Sequence, residues 1–133
     1  MIYQLVQYLR NTFPAETIYI NERPPASVTP DRNMLVKETG GIPQPWTRYT
    51  ESSIQIISRD VDTPKARVLA RMIFTNITDR FGLILPVATV DGIVYNQVQS
   101  AQITAIQEPE SIGADDEGRS LFSTNYKVIY TRN

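Results

Sequence analysis

Three groups of residues in this chain have the types and spacing to carry chemistry. Arg59, Asp60 and Asp62 fall together near the middle. Arg67 and Arg71 follow, four residues apart. Asp115, Asp116 and Glu117 form an acidic run near the end. Convergent carboxylates can hold a hard cation, and a pair of arginines on one helix face can grip phosphate or carboxylate. The inventory around them is narrow. The chain has no histidine and no cysteine, so the commonest metal ligand, the commonest proton-transfer group near neutral pH and all thiolate chemistry are missing. A serine nucleophile would lack its usual base, and no carboxylate- or lysine-based site is found. The expectation is a protein that is not an enzyme, with no cofactor and no metal.

Each group also has a plainer role. Asp60 and Asp62 stand where negative charge meets the positive end of a helix, and nothing around them has the ligand pattern of a cation loop. Arg67 and Arg71 suit a solvated helix face, and Asp115 to Glu117 a solvated turn. The sharper alternative brings the acidic run of one copy against the basic helix of another. Net charge is −1, and separated acidic and basic regions suit head-to-tail contacts that close into rings. That balance gives no bulk electrostatic case for a nucleic-acid or membrane-surface binder. No apolar run reaches the roughly 20 residues that span a bilayer, and the first residues lack the pattern of a signal peptide; a cytosolic origin is expected. A length of 133 residues fits one domain, residues 1–133.

The elements that must position these groups follow from periodicity. Ile2, Leu5, Val6 and Leu9 recur at helical spacing, predicting a helix from residue 2 to about 12 that Pro14 closes. Thr17 to Ile20 is a short β-prone run, and the proline-rich segment 21–33 a loop. Met34 to Thr39 reads as a strand stopped by Gly40-Gly41. That glycine pair lacks the spacing of a phosphate-binding turn, and its role is positive φ or close backbone approach. A second irregular segment holds Trp46, which either packs beneath its loop or anchors an interface. Ser52 to Ser58, with isoleucines on both faces, predicts a central strand. Asp62-Thr63-Pro64 is a helix start, and the apolar spacing from Ala66 to Phe81 predicts one amphipathic helix ending at Gly82. Asp91-Gly92 marks a turn. Tyr95 to Gln107 and Leu121 to Tyr130 are long strands expected to pair as a hairpin across an acidic loop, Glu108 to Ser120. The fold class is α+β: one mixed or antiparallel sheet, two main helices on one face, and a long C-terminal β-hairpin.

Glu38 to Gly41, the strand Gln55 to Arg59, and a helix with Ala66-Arg67, Leu69 and Ala70 resemble, in that order, the minor capsid or tail-terminator (tail completion) proteins of long-tailed phages. The sharp part of the resemblance is Met34 to Phe81. The acidic segment Glu108 to Glu117 is not matched by it. The resemblance implies a structural virion protein of the tail and neck, assembled in the host bacterial cytoplasm. It implies a homo-oligomeric ring, commonly a hexamer, at the head-proximal end of the tail tube. Such a ring caps the tube, ends its polymerisation and offers the surface that joins the head connector or stopper. DNA passes through its channel without sequence-specific binding. Partners are then a tail-tube protein and a head connector, with no membrane and no cofactor. The candidate interface residues are Trp46, Arg59, Arg67, Arg71, Asp115, Asp116 and Glu117.

Two other readings stand beside this one. Within the same class are a head-completion (stopper) protein and a tail-tube subunit. From a different class is a small ligand-binding or single-stranded nucleic-acid-binding module, in which Phe122, Tyr126 and Tyr130 on one strand face would stack bases. Lys127 alone on the opposite face is thin support for the basic groove it needs.

Overall fold

A computed structural model describes residues 1–25, 28–42 and 49–131. The chain begins with helix α1 (Ile2–Thr12), which buries Ile2, Leu5, Val6 and Leu9 as the spacing predicts. Strand β1 (Ile18–Ile20) runs parallel to β2 (Asn33–Ile42), and β2 runs antiparallel to β3 (Tyr49–Asp60). Helix α2 (Thr63–Ile77) follows at once, then two short strands, β4 (Arg80–Phe81) and β5 (Ile84–Leu85). A small hairpin of β6 (Ala88–Val90) and β7 (Ile93–Tyr95) precedes β8 (Val98–Ala105), β9 (Glu110–Ala114) and β10 (Ser120–Thr131). The sheet order is β1-β2-β3-β10-β8-β4, with β5 on β8 and β9 on β10. This is the α+β class expected, with a mixed sheet and two main helices, and β3 is central as predicted.

The register decides which side chains meet the helices. Val36, Ile56 and Thr124 lie on one rung, and Ile54 with Tyr126 two rungs along. Successive strand residues point to opposite faces, so Met34, Val36, Ile54, Ile56, Tyr126 and Val128 share a face. That face forms one core with Leu5, Val6 and Leu9 of α1 and Leu69, Ile73 and Ile77 of α2. Both helices therefore cover the same side, and the Tyr8 hydroxyl donates to Asn76 Oδ1 at 3.0 Å between them. Burying a branched apolar side chain contributes about 1.5–3 kcal/mol, so this layer carries most of the favourable term.

Three expectations are corrected. First, β2 does not stop at the glycine pair. It bulges between Glu38 and Gly40, where Gly40 has φ of 100°, and continues to Ile42. A Cβ on Gly41 would collide with the backbone carbonyl of Glu51 and lie 2.9 Å from Ser52 Cα. The pair thus serves positive φ and close approach, as read from the sequence, but inside a strand rather than at its end. Second, α2 ends at Ile77 rather than Phe81. Thr78 is extended and Asp79 takes the left-handed turn, with φ of 56°. Arg80 and Phe81 then pair with Ile103 and Gln102 of β8. Phe81 continues the helical spacing in sequence but is exposed in the fold. Third, the acidic segment is not all loop. Glu110–Ala114 forms β9 beside the first part of β10, while β8 pairs with the second part. The two long strands do pair, as expected, but the first is shorter than read: β8 spans Val98–Ala105, and Tyr95 belongs to β7. The Asp91-Gly92 turn is also found, with positive φ at both residues.

Candidate functional site

The residues singled out in the sequence fall into two places. The first is the end of the sheet where β3 hands over to α2. Arg59 is almost fully buried there, on the face opposite the helices. Its NH1 donates to Asp115 Oδ2 at 3.1 Å, and Arg119 Nε donates to the same oxygen at 2.9 Å. Asp115 Oδ1 accepts from the backbone N–H groups of Glu117 and Arg119, at 3.0 and 2.9 Å. Burial alone would push the Asp115 carboxyl up. The Arg119 N–H and guanidinium and the Glu117 N–H outweigh it and hold the carboxyl below its usual value of 3.8.

Other groups extend this network. Arg23 Nε donates to Asn33 Oδ1 at 2.8 Å, and its NH2 to the Ile57 carbonyl at 3.1 Å. Burial first, and the neighbouring Arg59 next, push its guanidinium down to about 10. Burial, then Arg119, also lowers Arg59. Arg32 forks onto Glu16 and reaches Asp60 at 3.4 Å. The network fastens the 21–33 loop and the β9–β10 turn to the sheet. Breaking such a buried set by removing one partner is costly.

Asp60 and Asp62 serve the helix start. Asp60 Oδ1 accepts from the Asp62 N–H at 3.2 Å, and Asp62 Oδ1 caps α2 by accepting from the Lys65 N–H at 3.3 Å. The Thr63 and Ser120 hydroxyls, 2.6 Å apart, pin that start to β10. Among the described residues no group of three or more acidic side chains could hold a metal ion, and no helix is long and apolar enough to cross a membrane.

The second place is the outer face of α2. Pro64, Val68 and Met72 recur at i, i+4 and i+8, forming an apolar stripe beside the core stripe. With Pro109 and Phe122 they floor an open groove of about 990 Å³, and Arg67 and Arg71 stand along it. Arg71 reaches Glu108 at 3.5 Å in an exposed pair and lies 5.6 Å from the centre of the Phe74 ring. Arg67 is exposed, with no ion pair among the described residues.

The candidates are therefore separated. Arg59 and Asp115 meet each other inside one chain. Asp116 and Glu117 remain exposed at the β9–β10 turn, and Arg67 and Arg71 line the groove. Trp46 lies outside the described residues. Sequence reasoning missed Arg119, a lone basic residue four positions after Asp115, and it missed the groove, whose signal was the Pro64–Val68–Met72 spacing. The base-stacking face is not available. Phe122 and Tyr126 lie against α2, and burial pushes the Tyr126 phenol well above its usual value.

Other exposed apolar side chains lie from β4 to β7. Phe81, Ile84, Val87, Ile93 and Val94 make up half of the large apolar side chains left exposed among the described residues. Between Arg80 and Glu108 the only charged residue is Asp91. Apolar side chains left exposed in one stretch that carries a single charge suit contact with another protein. Both surfaces are suited to binding partners.

Compared with curated proteins, the chain has no match. A family model described as bacteriophage tail terminator protein matches residues 9–132. The match covers nearly the whole chain, including α2, the entire sheet and the last turn of α1. The chain belongs to the bacteriophage tail terminator family and is a structural component of the phage tail.

Proposed function

We propose that this protein closes the head-proximal end of the tail tube as a homo-oligomeric ring, ends tube polymerisation and forms the surface that joins the head. The observation that carries the reading is the family match over residues 9–132. The concentration of exposed apolar side chains from Phe81 to Val94, and the groove on α2, support it by giving one small chain two separate contact surfaces. In this reading the chain acts as one domain, residues 1–133, without catalysis. The ring is a hexamer, its channel passes DNA without reading sequence, and assembly takes place in the host cytoplasm. Its partners are the last ring of tail-tube protein and a head connector or stopper. Arg67, Asp116 and Glu117, exposed on the surface, and the partly exposed Arg71 contribute to subunit or partner contacts in this reading. Arg59 and Asp115 contribute by shaping the turn that carries Asp116 and Glu117.

The test is tail length in particles assembled without the chain. Electron microscopy of lysates from phage lacking it should show tubes that run past their normal length, and heads without tails. Adding the purified protein should restore length and joining. Tails of normal length joined to heads in its absence would refute the proposal. Normal-length tails that fail to join heads would favour the stopper reading instead.

A further inference from the structure

We infer that the β6–β7 hairpin of one copy seats in the α2 groove of the next copy, with Val94 against Val68 and Met72, and Asp91 against Arg67. This contact rests on the ring reading and names its surfaces.

The two surfaces differ in shape. The groove is concave, open and floored by apolar side chains, and Val68 within it is 62% exposed. The hairpin presents Val94, 60% exposed, on the face of β7 opposite Tyr95, in two three-residue strands closed by a tight turn. It is held firmly at its base. Tyr95 packs on Tyr3 of α1 at a ring distance of 4.7 Å, and Gln4 Nε2 donates to the Asn96 carbonyl at 2.8 Å. A hairpin so anchored loses little conformational freedom on docking, which favours association.

The surfaces also differ in charge. Arg67 and Arg71 flank the groove, and among the described residues only Arg71 has an acidic partner, Glu108. Asp91 is the sole charge in the stretch from Phe81 to Gln107 and sits at the hairpin tip. Opposite charges at the edge of an apolar contact fix orientation and register more than they add affinity.

The surfaces share no residue. The hairpin lies over α1 and reaches toward Arg10, Tyr19 and Arg23, whereas the groove is built on α2, Pro109 and β10. One chain therefore cannot satisfy its own groove with a hairpin anchored elsewhere. Two unlike surfaces on one chain make a heterologous contact, and a heterologous contact that rotates by a fixed angle closes into a ring.

The chain has no cysteine, so engineered disulfides report this contact without background. The full-length protein is prepared as Val68→Cys, as Val94→Cys and as both together, then oxidised mildly and run on a non-reducing gel. The double variant should give a ladder of covalent oligomers. The two single variants mixed should give dimers only, and each alone should stay monomeric, because the contact never brings like positions together. Val94→Asp, on an exposed side chain, should weaken association measured by light scattering at least tenfold, with unchanged circular dichroism. Arg67→Asp should do the same, and Arg67→Asp with Asp91→Arg should restore it. Absence of the mixed dimer while the wild-type chain is oligomeric would overturn this contact and leave the ring reading standing. A wild-type chain that is monomeric at millimolar concentration and forms no mixed dimer would also overturn it. The ring reading would then be decided by tail length alone.

Discussion

Replacing Asp115 with alanine removes the one carboxylate to which two buried guanidinium groups donate. Its side chain is 19% exposed, while those of Arg59 and Arg119 are 8% and 3% exposed. The carboxylate accepts four hydrogen bonds, two from these side chains and two from backbone N–H groups of its own turn. Removing one member of a buried ionic set costs about 3–5 kcal/mol; among the described residues Arg59 would keep no acidic partner, and Arg119 only the exposed Asp31, 3.7 Å away. A chain of this size is stable by only about 5–15 kcal/mol in total. Asp115→Asn keeps an acceptor but not the charge and should cost less, about 1–3 kcal/mol. Equilibrium unfolding in urea measures both, read as a shift in midpoint at unchanged slope. A loss below about 0.5 kcal/mol for the alanine variant would place Asp115 among ordinary surface residues and refute the reasoning. A change in oligomer mass with no change in stability would instead assign Asp115 to contact between copies.

The same carboxyl sets an acid limit. Its folded-state value is depressed, so its contribution is fully present above the unfolded value of 3.8 and is lost as pH falls below that. Urea midpoints should therefore drop below about pH 4 in the wild type and less steeply in Asp115→Asn. At the alkaline end, burial raises the Tyr126 phenol, so unfolded chains ionise first and stability should fall as pH rises past 10; Tyr126→Phe should flatten that limb in the same titration. Gly41→Ala places a methyl group against the backbone of Glu51 and Ser52 and should cost more than Gly40→Ala, which meets only the strain of positive φ, about 1–2 kcal/mol; thermal unfolding ranks the two. Leu69→Ala, at a fully buried position of α2, should cost about 2–5 kcal/mol by the same measurement.

Helix α1, the start of α2 and the alternation of β10 were legible because each is written in nearest neighbours. Apolar residues every three or four positions, an aspartate before Thr63-Pro64, and Phe122, Tyr126 and Val128 on one face of an alternating run dictate those elements whatever the rest of the chain does. The candidate charges were legible only as types. Arg59 and Asp115 are 56 residues apart, and which basic side chain an aspartate meets depends on the sheet order. The spacing of Ile73, Ile77 and Phe81 continued a helix past its true end, because the competing partner of Arg80 and Phe81 is β8, some twenty residues on. The acidic segment looked like a loop because β9 has every residue exposed and no apolar alternation to announce it; only pairing with β10 makes it a strand. Surfaces are less local still. The sequence by itself determined the class of the fold, the absence of histidine and cysteine chemistry, and the residues that name the tail terminator family. Tertiary structure alone decided that Arg59 and Asp115 neutralise each other inside one chain, that Phe122 and Tyr126 are core, and that the α2 groove and the β6–β7 hairpin face outward. A side chain's exposure is set by what the whole fold stacks against it, and no window of neighbouring residues contains that information.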